Sequence, residues 1–418
     1  MKKIAPLFIY EFKKICYRKI VWVIGSVILL LCAFLSISDL VSTSVYYEVN
    51  GKEVSGYEMM KINRQNARDL SGKLIDDALL QEMNKSYTKA GTTDNSSQNV
   101  ETSSDGNQMV VLSGDTEDDV GNDIQPYTPI YSFVQQIMGD SKDVLNSSAN
   151  DIYAERENTI SENRADQMLN EKEMDYWKRK DTQIKTPFTY AYSEGWSNMW
   201  EYAYTLNYML LLMLAICLSN IFSIEYVRKT DAIIMCSRYG KTQLYYAKIF
   251  AGIVFGIIVA ILFFGVTLLS SIIVYGADGF NTALQIAFPT ATRNMSIGNA
   301  VCMLFLLFVL ISVLYSVGIM FLSIIFKNSI AVMAIPVGIM FLTMLIDIPY
   351  QFRIASQIYD LLPTNLLVKW ELWNDRLVSI LGKCFTNFEI APFVYVIVIL
   401  LFLFLGKRKY QKYQIMVR

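Results

Sequence analysis

Six apolar runs, each long enough to cross a bilayer, punctuate this chain, and one large acidic segment separates the first run from the second. They fall at 20–41, 206–224, 249–275, 300–326, 330–347 and 390–406. About 18 consecutive apolar residues suffice to span the hydrocarbon core. Backbone groups there find no water, so each run is expected to be a helix. The expected fold class is an all-α polytopic membrane protein with six transmembrane helices.

Composition agrees with that expectation. Hydrophobic residues make up 53% of the 418 and charged residues only 18%, against about 25% charged in soluble domains. The net charge of −1 conceals an asymmetry. Between Ser42 and Thr205 there are 28 acidic and 15 basic residues, so the remainder of the chain is basic. The basic residues gather in particular short loops, and that bias orients membrane helices.

The sequence contains no histidine. Serine–histidine triads, HExxH zinc sites and histidine proton relays are therefore excluded. Six cysteines are scattered without metal-ligand spacing, and none lies in the acidic segment.

Residues 1–19 read as an amphipathic helix lying on the cytoplasmic face. Ile4, Leu7, Phe8, Phe12, Ile15 and Cys16 recur at helical spacing, with Lys3, Lys13, Lys14, Arg18 and Lys19 supplying charge. Glu11 falls on the apolar side of this helix; it either swings out to pair with Lys14 or contacts a partner or facing helix. The apolar run that follows is too long for a secretory h-region, so it reads as an uncleaved span. Arg18 and Lys19 at its start place the amino end in the cytoplasm.

Segment 42–204 is then expected outside. Residues 57–89 and 147–180 have helical periodicity, and each apolar stripe needs a partner, either the other helix or a second copy. Residues 91–123 read as a polar flexible linker, with one short strand at Val110–Leu112. Residues 126–138 read as a short packed helix. Phe188, Tyr190, Tyr192, Trp196, Trp200, Tyr202 and Tyr204 suggest an aromatic belt at the outer membrane boundary, or the mouth of a passage.

Residues 205–418 carry spans two to six, a basic inner loop at 225–248 and a short basic tail ending the sixth span. Gly252, Gly256 and Ala260 at four-residue spacing suit close helix packing. Pro336 and Gly338 predict a kink in the fifth span. Gly240-Lys241-Thr242 is not a phosphate loop, because Met235 stands where that motif requires its first glycine. Charged residues at mid-bilayer are lacking, which argues against a proton-driven carrier. No paired carboxylates stand out in the outer segment, which argues against a membrane-bound enzyme there.

Taken together, several places resemble the permease subunits of type-2 ATP-binding-cassette (ABC-2) exporters. They are Tyr10-Glu11-Phe12-Lys13-Lys14 with Arg18 before span one, Glu225 with Arg238-Tyr239-Gly240-Lys241 and Ala247-Lys248 in the first inner loop, and Leu362-Pro363 in the last outer loop. The resemblance implies a chain without its own ATPase, working with two copies of a separate ABC ATPase that holds ATP and Mg. It implies a second permease chain, identical or different, in a bacterial plasma membrane with both termini cytoplasmic. It implies no cofactor or metal in this chain and no nucleic acid.

It also implies that a short helix near 231–241 docks on the ATPase. The expected coupling residues are Glu11, Glu225, Asp231, Arg238, Gly240, Lys241 and Lys248, with Glu225 and Arg238 framing the docking helix. The large outer segment departs from the simplest members and is similar to those of permeases linked to peptide-antibiotic export or self-protection. A different reading remains open: a sensor or mechanotransmission unit whose outer domain binds a ligand with nothing crossing.

Overall fold

The protein is described from a computed structural model that covers residues 5–42, 47–49, 52–54, 56–93, 126–139, 144–237, 239–326, 328–380 and 382–412. It is predominantly helical. An amphipathic helix α1 (Ala5–Cys16) turns at Tyr17-Arg18 into α2 (Lys19–Ser42). A hairpin of β1 (Tyr47–Val49) and β2 (Lys52–Val54) pairs Glu48 with Glu53. Helices α3 (Gly56–Leu70), α4 (Asp77–Thr93), α5 (Thr128–Met138), α6 (Ala149–Asp166) and α7 (Glu171–Asp181) follow.

The bundle continues with α8 (Glu194–Leu218), the short α9 (Ser223–Val227) and α10 (Asp231–Cys236), and α11 (Gln243–Tyr275). After α12 (Leu284–Ala287) come α13 (Ile297–Ile325), α14 (Ser329–Leu345) and α15 (Arg353–Asp360). A single 3-10 turn at Lys369–Leu372, a hairpin of β3 (Val378–Ile380) with β4 (Lys383–Phe385), and α16 (Asn387–Gln411) complete the chain. The two hairpins are minor additions to an all-α fold. Both are only three residues per strand.

Among the described residues, five stretches are long and apolar enough to cross a membrane: Lys19–Ser38, Glu194–Val227, Gln243–Tyr275, Ile297–Ile325 and Asn387–Gln411. The chain is thus a multi-pass membrane protein. The run at 330–347 forms α14, which has 17 residues. At about 1.5 Å per residue it is roughly 25 Å long, short of the usual hydrocarbon core of about 30 Å. Pro336 lies inside it without ending the helix.

End-to-end contacts fix the bundle. Arg18 at the start of α2 bonds Cys217 near the end of α8, and Ser36 of α2 bonds Ser270 of α11 at 2.9 Å. Thus α2 is antiparallel to α8 and parallel to α11. Phe222 after α8 meets Tyr245 of α11 and Tyr410 of α16, while Trp200 at the other end of α8 meets Phe388 of α16. The end carrying α1, α9, α10 and the last turn of α16 is called the near end. The helical segment α3–α7 sits at the far end, and α14 carries the chain from near to far.

Small residues set the α11–α13 distance. A Cβ on Gly256 would stand 2.9 Å from Ser312 Oγ and closer still to Ser316 Oγ, and one on Gly252 would overlap Met320. Ala260 is fully buried on the same face. Spacing of four residues puts the three on one stripe, so the helices approach closely.

Three expectations need correction. The second apolar helix begins at Glu194, not Leu206, and runs through 204/205 unbroken. The aromatic residues Trp196, Trp200 and Tyr204 recur every four positions and continue the helix outward. Phe188, Tyr190, Tyr192, Trp200 and Tyr202 are buried in protein, so they do not form a lipid-facing belt. Finally, each of the two long polar helices is broken into two.

Gly72, at φ +92, lies between α3 and α4, in the left-handed region that glycine tolerates. Asn170 starts α7 with a capping box: its side chain accepts from Glu173 N–H at 3.0 Å, and Glu173 accepts from Asn170 N–H at 2.9 Å. The linker at 91–123 gives up its first three residues to α4; the rest of it, with Val110–Leu112, lies outside the described residues. One core joins Leu70, Leu79 and Met83 to Ile130, Phe133 and Ile152, so α3 and α4 pack with α5 and α6 in the same chain.

Candidate functional site

The near end collects α1, α8, α9, α11, α13 and α16 around a buried ion pair. Lys248 lies in the second turn of α11, and its Nζ is paired with the Glu225 carboxylate of α9. Lys248 is 0% exposed and Glu225 6%. The ammonium also donates to Ile221 O at 2.9 Å and stands 5.0 Å from the centre of the Phe222 ring. Removing two charges from water costs several kcal/mol per ion, which only close contact and extra hydrogen bonds offset. Such a pair therefore fixes one geometry for the loop that follows.

Neighbouring residues lock the same turn. Ser323 of α13 donates its hydroxyl to Ser219 O at 2.9 Å and accepts from Phe222 N–H at 3.2 Å and Ser223 N–H at 3.1 Å. That satisfies backbone groups left over where α8 ends. Arg18 donates to Cys217 O at 2.6 Å and Asn220 Oδ1 at 2.8 Å, tying the α1–α2 corner to the end of α8. The rings of Phe222, Tyr245 and Tyr410 pack on one another in tilted and edge-on geometry beside the ion pair, and Tyr245 donates to Leu403 O at 2.8 Å. Helix α1 lies across α11. Its Glu11 is turned inward, 6% exposed, with Lys14 Nζ 3.5 Å away. Glu11 does not swing out: it pairs with Lys14 while facing the bundle.

Beyond this joint the loop stands out. Arg228, Lys229 and Lys241 are exposed, Val227 is 67% exposed and Ile233 of α10 is 75% exposed. Gly240 is buried against α10, and a Cβ there would collide with the Ile234 carbonyl oxygen. Gln411 at the end of α16 donates to Thr242 Oγ1 at 3.2 Å. Of the expected coupling residues, Glu11, Glu225 and Lys248 come together. Gly240 shapes the turn and Lys241 projects away. Glu225 lies inside, paired with Lys248, at the root of the loop that carries α10. Arg238 and the side chain of Asp231 lie outside the described residues.

No protein-family model, curated protein or solved structure matches this chain. The site is thus read from its own chemistry.

A second charged cluster, at the far end, was not anticipated from the sequence. Arg164 of α6 bonds Asp181 through two nitrogens, at 2.7 and 3.0 Å, and Asp375 through Nε at 2.6 Å. Asp375 also accepts from Thr292 Oγ1 at 2.6 Å, and its carbonyl accepts from Trp177 Nε1 at 2.6 Å. Arg376 pairs with Asp360, and Arg353 with Glu173. Arg156 donates to Pro289 O at 2.6 Å and Ala291 O at 3.2 Å. The guanidinium fork can satisfy several carbonyls and carboxylates at once, which suits a buried clamp.

At the centre lies Glu371, buried, accepting from Asn387 Nδ2 at 2.7 Å and Asn374 Nδ2 at 3.0 Å. Burial, then the nearby Asp360, pushes its carboxyl up to about 7. Burial likewise raises Asp375 and Asp360, against the pull of Arg164 and Arg376 respectively. The sequence did carry one sign of this clamp. Ile152, Arg156, Ile160 and Arg164 occupy one stripe of α6, so two arginines sit where a core-facing helix places apolar residues.

Proposed function

We propose that this chain is the permease subunit of an ABC-2-type exporter, coupled to a separate ATP-hydrolysing subunit. It crosses the membrane six times, with α14 as a short sixth crossing, both termini and α10 in the cytoplasm and α3–α7 outside. The observation that carries the reading is the near-end joint. Helix α10 is held out on a loop whose roots, Glu225 and Lys248, are bonded to each other under α1. A displacement of α10 thus reaches α8, α11 and α1 together. Val227 and Ile233 give a partner an apolar grip beside the exposed Arg228 and Lys229. The ATPase would bind ATP and Mg, and a peptide-like or amphipathic substrate would pass between two permease chains.

The test is co-purification with an ABC ATPase co-expressed with this chain. Val227→Asp with Ile233→Asp should lower recovery of the ATPase at least about tenfold, since each anchor of this kind contributes over 1 kcal/mol. Equal recovery would show the docking assignment to be wrong.

A second reading is favoured by the far-end clamp. Arg164 and Asp375 fasten the outer helices to the loop preceding α16, which suits a relay that carries ligand binding to the spans without transport. ATP-driven accumulation of labelled peptides in inverted vesicles separates the two: the exporter accumulates them and the relay does not.

A further inference from the structure

Residues 187–191 run as the edge of a miniature sheet. Ile75 N–H donates to Phe188 O, while Tyr190 N–H donates to Lys73 O and its carbonyl accepts from Gly72 N–H, all at 2.9 Å. Leu74 and Thr189 form an antiparallel bridge. Phe188 and Tyr190 thus spend their backbone groups on the outer helical domain and bury their rings in it. Alternation along an extended chain turns Thr189 and Ala191 the other way. Among the described residues, the N–H and C=O of Thr189 and Ala191 have no partner.

Those two residues line a cleft of about 920 Å³, a size that accepts a ligand of several residues. Its opposite wall is the segment 279–285, where Phe280 and Thr282 turn their carbonyls away to Gly298 and Ile297. Asn294 Nδ2 donates to Gln183 O at 3.1 Å and joins the two walls. Thr282, only 7% exposed, belongs to the opposite wall, and its hydroxyl oxygen is buried beneath the cleft surface. Lys185 is the one ionisable residue lining the cleft, and it has no carboxylate partner among the described residues.

We propose that this cleft binds an extended peptide in trans, adding it as a strand to Thr189 and Ala191 with a peptide carboxylate against Lys185. An open strand edge offers donors and acceptors that repeat every second residue, at roughly 6.8 Å, and an extended polypeptide matches that repeat. The inference rests on the edge and the cleft, and stands whether the chain exports or relays.

The test uses the detergent-purified full chain and a fluorescein-labelled octapeptide of alternating threonine and valine ending in glutamate, read by fluorescence anisotropy. Two further peptides carry N-methyl groups on the odd or on the even positions. Strand addition uses only one set of backbone N–H groups. One methylated peptide should therefore bind at least about tenfold more weakly, and the other within about threefold of the parent. Lys185→Glu should weaken the parent several-fold, and weaken a version ending in lysine less. Absence of saturable binding, or an equal effect of the two methylation patterns, overturns the proposal. The peptide-side changes leave the protein untouched, so misfolding does not enter the comparison.

Discussion

Lys248 and Glu225 form an ion pair that solvent does not reach, between the second turn of α11 and the root of the loop bearing α10. Removing one partner strands a buried charge, which costs about 3–5 kcal/mol, whereas replacing both with apolar residues is often neutral. Lys248→Met alone should lower the apparent unfolding temperature in detergent sharply. Lys248→Met with Glu225→Leu should recover most of the loss. A double variant no better than the single would mean that the pair does not act as a unit.

Glycine substitutions give a graded series along the same helix and loop. A Cβ at Gly240 meets a backbone carbonyl, and one at Gly256 meets two serine hydroxyls, but one at Gly265 meets nothing within 4 Å. Overpacking costs about 1–3 kcal/mol. Gly240→Ala and Gly256→Val should therefore destabilise, and Gly265→Ala should leave thermal stability unchanged or slightly raised.

The far-end clamp predicts a separable effect. Arg164→Ala leaves Asp375 buried without its cation, so α6 and α7 should loosen from the 373–377 loop. Hydrogen exchange should rise in residues 160–181 and 371–378 while α11 and α13 stay protected. Uniform exchange across the whole chain would contradict a local clamp.

Glu371 makes stability depend on pH. Its folded carboxyl holds a proton up to about 7 against an ordinary value of 4.5. Between those values the folded state binds more protons, so stability falls as pH rises through that window. The difference corresponds to on the order of 1–3 kcal/mol. The unfolding temperature should drop from pH 5 to pH 8, and Glu371→Gln should flatten that slope. An unchanged slope would exclude Glu371 as its source.

Much of the bundle was legible because apolar runs of bilayer length leave a chain few options. The run at 330–347 was equally legible as a helix, and only its length was overestimated. Glu11 stood out by its angular position, and Gly252, Gly256 and Ala260 by their spacing. The breaks at Gly72 and Asn170 were missed because periodicity is insensitive to a few residues of turn; the Asn170–Glu173 capping box marks one of them in the sequence. Contacts such as Arg164 with Asp375 and Lys248 with Glu225 join distant residues, and no local pattern pairs them. The buried stripe of Ile152, Arg156, Ile160 and Arg164 announces only that some partner exists.

The central claim places α10 and both chain ends on one face of the membrane and the α3–α7 helices on the other. Two native thiols test it: Cys236 is exposed on α10, and Cys384 is half-buried in the far-end β4 strand. Single-cysteine variants retaining one or the other would be treated in intact cells with a membrane-impermeant maleimide. The account predicts that Cys384 reacts in intact cells and that Cys236 reacts only after permeabilisation. Labelling of both thiols from the same side would contradict it.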